Sequence, residues 1–158
     1  MRPFSGSRRH PHFAREQLEP FLRAADIDYL WLPELGGRRT PRKDSQNTGW
    51  QVAAFRGYAD YAETAEFDEA FTKLLAFAET RRATIMCAEA LWWQCHRRII
   101  SDVLVSRGHP VLHIQTPTKA PPHTIAPPAH LVAGRLSYAS PQTDLDLEWS
   151  GAALARPR

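Results

Sequence analysis

Residues 83–98 read A-T-I-M-C-A-E-A-L-W-W-Q-C-H-R-R and hold both cysteines of the chain together with a carboxylate, a histidine and two arginines. Cys87, Glu89 and His96 are the residue types of covalent and acid–base chemistry: a thiolate attacks, and a carboxylate or imidazole moves the proton. Cys87, Glu89, Cys95 and His96 also form a donor set of sulfur, oxygen and nitrogen that suits zinc or iron. C-x-E with C-H eight positions on is not a standard ligand spacing. It also lacks the P-C-x-x-C that accompanies H-x-E in zinc deaminases. No cofactor is therefore assigned, and these four stand only as candidate ligands. The plain alternative is structural: Cys95 as a small core residue, His96 as a buried histidine with a local partner, and the arginines in solvent.

Such side chains need elements to hold them. Residues 84–87 form a short β-prone run. The stretch 92–107 has helical spacing, with Trp92, Cys95, Ile99 and Val103 on one stripe. Gly108 and Pro110 stop that helix, and 111–114 reads as another strand. Strand, helix, strand predicts a right-handed parallel βαβ unit, whose ligands bind beyond the carboxyl ends of the strands. Cys87 and Glu89 lie at that end.

Upstream, 14–25 reads as a helix strained at Pro20, and 27–32 as a strand. P-E-L-G-G-R-R at 33–39 follows, and a basic loop runs on to Trp50. Gly36 and Gly37, with Arg38 and Arg39 behind them, suit an anion held by backbone amides and guanidinium groups. The pattern is not a nucleotide P-loop. In 50–61, Trp50, Phe55, Tyr58 and Tyr61 interleave with Arg56. That is either a surface for stacking nucleobases or ordinary core packing. Thr64 caps a helix to about Thr80 with Phe67, Phe71, Leu74 and Leu75 inward. The proline-rich segment 115–130 should run extended over the surface. An edge strand around Gly134 and a disordered tail over 148–158 complete the reading. The fold class expected is α/β: one small Rossmann-like domain over 1–147, with a mainly parallel sheet flanked by helices.

The net charge of +3 is mild, so its placement matters more than its size. Arginine pairs at 8–9 and 38–39 sit in loops rather than on regular helix faces. His10-Pro11-His12 is a weak metal motif. No apolar run reaches the length of a membrane span and there is no apolar signal core at the start, so a cytoplasmic protein without membrane attachment is expected.

S-R-R-H-P-H-F at 7–13, L-P-E-L-G-G-R-R at 32–39, F-R-G-Y-A-D-Y at 55–61, M-C-A-E at 86–89 and C-H-R at 95–97 resemble, in order and spacing, the bacterial domain-of-unknown-function family 488. H-T-I-A-P-P-A-H-L-V-A-G-R-L-S-Y at 123–138 resembles that family's usual ending. The resemblance implies a small α/β domain with these motifs gathered at one site, and it names no activity. It also implies a first strand carrying T-I-G-H-S, a helix and a second strand ending in V-D-V-R, which would precede Met1. Either the start is placed late or the first βαβ segment is absent. Its loss would leave sheet unpaired and would remove a histidine and an aspartate from the site.

Parallel strands would turn three loops to one sheet edge. The pocket expected there is basic with embedded carboxylates: Arg8, Arg9, Glu34, Arg38, Arg39, Arg56, Tyr58 and Arg97 binding substrate, and Cys87, Glu89 and His96 reacting. Three functions follow. One is an enzyme acting on a phosphate-bearing substrate, nucleic acid or nucleotide. The second is a zinc- or iron-dependent hydrolase-like site. The third is a nucleic-acid-binding module without turnover. The residues alone leave enzyme and binder open, and the oligomeric state is undetermined.

Overall fold

The protein is described here from a computed structural model over residues 10–140. The expected tail at 148–158, and Arg8 and Arg9, lie outside those residues.

Among the described residues four α-helices carry the fold: α1 (Arg15–Ala24), α2 (Ala53–Tyr61), α3 (Ala65–Ala78) and α4 (Arg97–Ser106). Two short strands, β1 (His130–Val132) and β2 (Arg135–Ser137), pair antiparallel. Ala133 and Gly134 both take positive φ, 49° and 77°, at the turn between them, the geometry that closes a two-residue hairpin. The edge strand expected around Gly134 is thus a hairpin folded at that glycine.

α3 forms as its sequence dictates. The Thr64 hydroxyl accepts from the Phe67 amide at 3.2 Å, and Glu66 and Asp68 fill the first turn, where carboxylates complement the helix dipole. Phe67 and Phe71 are fully buried and their rings stack at 5.5 Å. α2 packs Tyr58 and Tyr61 against Phe67, and α4 adds Ile99, Ile100, Val103 and Leu104 to the same core. The signal for α2 is the spacing of three from Phe55 through Tyr58 to Tyr61, which reads equally as an aromatic surface until burial settles it.

The Rossmann-like parallel sheet does not form among the described residues. Stretches 27–32 and 84–87 join no ladder, and 111–114 makes only the isolated antiparallel bridge from Leu112 to Pro122. Strand-like patterning becomes a strand only when a neighbour takes its backbone groups. Here Ile27, Leu30, Met86 and Ile114 remain exposed. The proline-rich segment also doubles back. The His113 amide donates to the Pro121 carbonyl and the His123 amide to the Val111 carbonyl, which sets two histidines side by side.

The helix expected over 92–107 breaks. A single 3-10 turn spans Trp92–Gln94, Cys95 is extended at φ −140° and ψ 170°, and α4 starts at Arg97. The Cys95 sulfur accepts the Arg97 amide at 3.4 Å, so it satisfies a donor that the young helix cannot.

Candidate functional site

The sequence motifs converge through helix–loop packing rather than through strand ends. The Tyr58 hydroxyl donates to the Leu35 carbonyl at 2.9 Å and that of Tyr61 to the Glu34 carbonyl at 2.8 Å. Gly57 lets α2 lie directly on the Arg39 carbonyl, where a side-chain carbon would come within 2.3 Å. Gly37 does the same for His96: a methyl there would sit 2.7 Å from Nδ1. Tyr58 and His96 rings are 5.1 Å apart. L-P-E-L-G-G-R-R, F-R-G-Y-A-D-Y and C-H-R are therefore one packed unit, with His96 at its centre.

The fourth motif joins through sulfur. Cys87 is half-buried and Cys95 buried, and with His96 their ligand atoms all lie within 4.8 Å of one another. The Cys95 thiol donates to Cys87, and that bond pulls Cys87 down to about 6. The Glu89 backbone amide and the Arg97 charge add to it and outweigh burial. The same hydrogen bond, with burial, pushes the Cys95 thiol up. One sulfur is thus a thiolate near neutral pH and the other holds its proton, the division expected when two titrating groups share a site. Arg97 ties them to the chain: its Nε donates to Cys95 Sγ at 3.0 Å, and Nη2 donates to the Glu89 carbonyl and to that of Ala90 at 3.3 Å.

Burial, with the Arg97 and Arg39 charges, pushes His96 down to about 4. It stays neutral at physiological pH. Its Nε2 has no hydrogen-bond partner among the described residues, a costly condition for a buried polar atom. Glu89 is exposed; its backbone amide supports the Cys87 thiolate, its carbonyl accepts from Arg97, and its carboxylate charge opposes the thiolate.

The arginines expected to hold substrate divide. Arg39 lies over the Tyr61 ring at 3.6 Å and donates to the Glu34 carbonyl at 2.6 Å. Arg56 clamps the Trp50 carbonyl at 3.0 and 2.9 Å. Arg97 holds the Glu89 and Ala90 carbonyls, and Arg98, which is not among the expected set, donates to the Pro127 carbonyl at 2.5 Å. Arg38, exposed and at φ 64°, follows the glycine that packs on His96. Tyr58 is fully buried and offers no face to a base. Glu34 contributes its carbonyl. The Gly36 amide donates to the Pro33 carbonyl rather than standing open to an anion.

The sequence model of the family described as "Domain of unknown function DUF488" matches residues 1–104. The chain belongs to the DUF488 family. No curated protein and no solved structure matches it. The matched span ends inside α4, so it includes all the motifs just described apart from the C-terminal segment.

That segment, together with Asp102 of α4, carries buried polar side chains that the motifs do not announce. In this DUF488 chain Asp102, His113, His123 and Tyr138 form a buried network beside the cysteine site. A signal for it exists: Asp102 stands three residues from Ile99 and next to Val103, on a stripe otherwise apolar, and a carboxylate there must find buried partners.

No helix among the described residues is long and apolar enough to cross a membrane.

Proposed function

We propose that this DUF488 protein is a thiol-dependent enzyme acting on a phosphate-bearing substrate, with Cys87 as its nucleophile. The observation that carries the reading is the Cys87 sulfur held as a thiolate by the Cys95 thiol and the Glu89 amide, near Arg97. A thiolate stabilised this way attacks an electrophilic phosphorus or carbon without first losing a proton. Glu89, exposed two residues on, is the proposed proton donor to the leaving group. Arg38 and Arg39, beside the glycine that seats His96, supply cationic charge for a phosphate. The alternative, a binder without turnover, would draw on the same cations and gives the Cys87 thiolate no role.

The test is protection of Cys87 from iodoacetamide by inorganic phosphate, adenosine monophosphate and a short single-stranded DNA. A several-fold slower alkylation that disappears in Arg38→Ala/Arg39→Ala supports the reading. Equal rates with every probe overturn its phosphate half, and an unreactive Cys87 overturns the nucleophile.

A second reading has its own observation. Two sulfurs and the partnerless His96 nitrogen are a three-donor set for zinc or iron, with a coordination position left for water. Glu89 does not belong to that group. Protein prepared without chelator should then hold close to one equivalent of zinc or iron, lost in Cys95→Ser and His96→Gln. A clean elemental analysis removes the idea.

A further inference from the structure

The buried network on the far side of Arg97 has a direction, and the direction follows from chemistry alone. Asp102, on α4, is 1% exposed, and its carboxylate can only accept. Tyr138 therefore donates to its Oδ2 at 3.0 Å and His123 Nε2–H to its Oδ1 at 2.8 Å. With Nε2 protonated, neutral His123 presents Nδ1 as an acceptor, so His113 donates to it from Nε2 at 2.9 Å. Neutral His113 is then left with an unprotonated Nδ1. Trp92 lies flat on the His113 ring at 3.5 Å and edge-on to His123 at 5.4 Å, which locks both rings.

We propose that Tyr138, Asp102, His123 and His113 form a proton relay whose outer atom, His113 Nδ1, is a general base for a substrate or water held beside Arg97. The step balances within the chain. A proton abstracted from an O–H or N–H bonds to His113 Nδ1, and the electron pair of the broken bond stays on the substrate, whose negative charge the Arg97 guanidinium offsets. His113 then passes its Nε2 proton to His123 Nδ1. It is left neutral as the Nδ1–H tautomer, and the positive charge comes to rest on His123 against the Asp102 carboxylate. Reversal of the two transfers returns the proton to a leaving group.

The groups that face His113 fit this use. Burial, the His123 ring and the Arg97 charge all oppose a cation on His113, whereas Asp102 favours one. The charge is thus better held one ring further in, next to the carboxylate, so His113 works as a conduit rather than a store. The relay does not depend on Cys87 being the nucleophile.

The experiment is two-bond 1H–15N NMR of histidine-labelled protein from pH 8 to pH 4, with carbethoxylation by diethyl pyrocarbonate mapped by peptide mass. Expected at pH 7 are Nε2–H tautomers for both His113 and His123. On acidification one proton should enter the pair, both rings responding with a shared midpoint, and His113 should be carbethoxylated. Asp102→Asn should lower that midpoint and slow carbethoxylation several-fold. Tyr138→Phe, which keeps the carboxylate and removes the donor that shares it with His123, should instead raise the midpoint slightly, and covers the case in which Asp102→Asn does not fold. An Nδ1–H tautomer on His113, rings that titrate separately, or a His113 that resists the reagent while exposed His109 reacts would each overturn the proposal.

Discussion

For single residues, the site is governed by which atoms are denied water. Cys87 owes its thiolate to a donated proton from Cys95, so the two sulfurs cannot be understood apart. The alkylation rate of Cys87 should rise with a midpoint near pH 6, and in Cys95→Ala that midpoint should move up toward an ordinary thiol. A midpoint already at about pH 8.5 in the unmodified protein, the ordinary thiol value, would mean the hydrogen bond does not exist. Gly37 is fixed by contact rather than by φ, because His96 Nδ1 occupies the space of a side chain. Gly37→Ala should cost about 1–3 kcal/mol in urea unfolding, the usual range for overpacking, with a larger effect on Cys87 reactivity than on stability if His96 is displaced.

Among the elements, helix starts decide the geometry. α3 starts on the Thr64 hydroxyl, and Thr64→Ala should destabilise by about 1 kcal/mol, as loss of such a cap does; thermal melting reads it. α4 starts on the Cys95 sulfur, which joins secondary structure to the candidate chemistry. α2 is pinned to the loop before it by Asp60, whose carboxylate accepts from Ser45 Oγ at 2.6 Å, Asn47 Nδ2 at 2.8 Å and the Arg42 amide at 2.8 Å. Although burial alone would raise it, those bonds hold this carboxyl below its usual range. The long basic loop is thereby an ordered structural strap over much of its length, which is why its composition alone overstates its freedom to bind.

Across the whole molecule, the buried imidazoles set the acid limit. His96 is held neutral, with a folded value of about 4 against about 6.5 unfolded. Below pH 6.5 the unfolded chain takes up a proton that the folded one refuses, so stability should be constant above about pH 7 and fall as pH drops toward 4. The loss from His96 is on the order of 3 kcal/mol, since a tenfold change in proton affinity is worth about 1.4 kcal/mol. His113 acts in the same direction. Chemical denaturation at pH 7.5, 6 and 4.5 measures this. A stability that holds steady to pH 4.5 would show that these rings are not buried neutral.

Residue order and type make the motifs legible and mark the stretch that carries both cysteines and His96. The order of M-C-A-E and C-H-R, the helical stripe of 64–78 and the Gly36–Gly37 pair are all legible, because short-range spacing and residue type express them directly. Folding in three dimensions was needed to show that Gly37 serves His96 rather than an anion, that Arg39, Arg56 and Arg97 hold carbonyls, and that 27–32, 84–87 and 111–114 do not join in a parallel sheet among the described residues. The reason is common to these cases. A hydrogen-bond donor has no address in sequence, and whether an amide or guanidinium meets a ligand, a carbonyl or a neighbouring strand depends on what folding brings within about 3 Å. The Asp102 relay is the clearest instance: its four members are spread over residues 102–138, and only the doubled-back segment places His113 against His123.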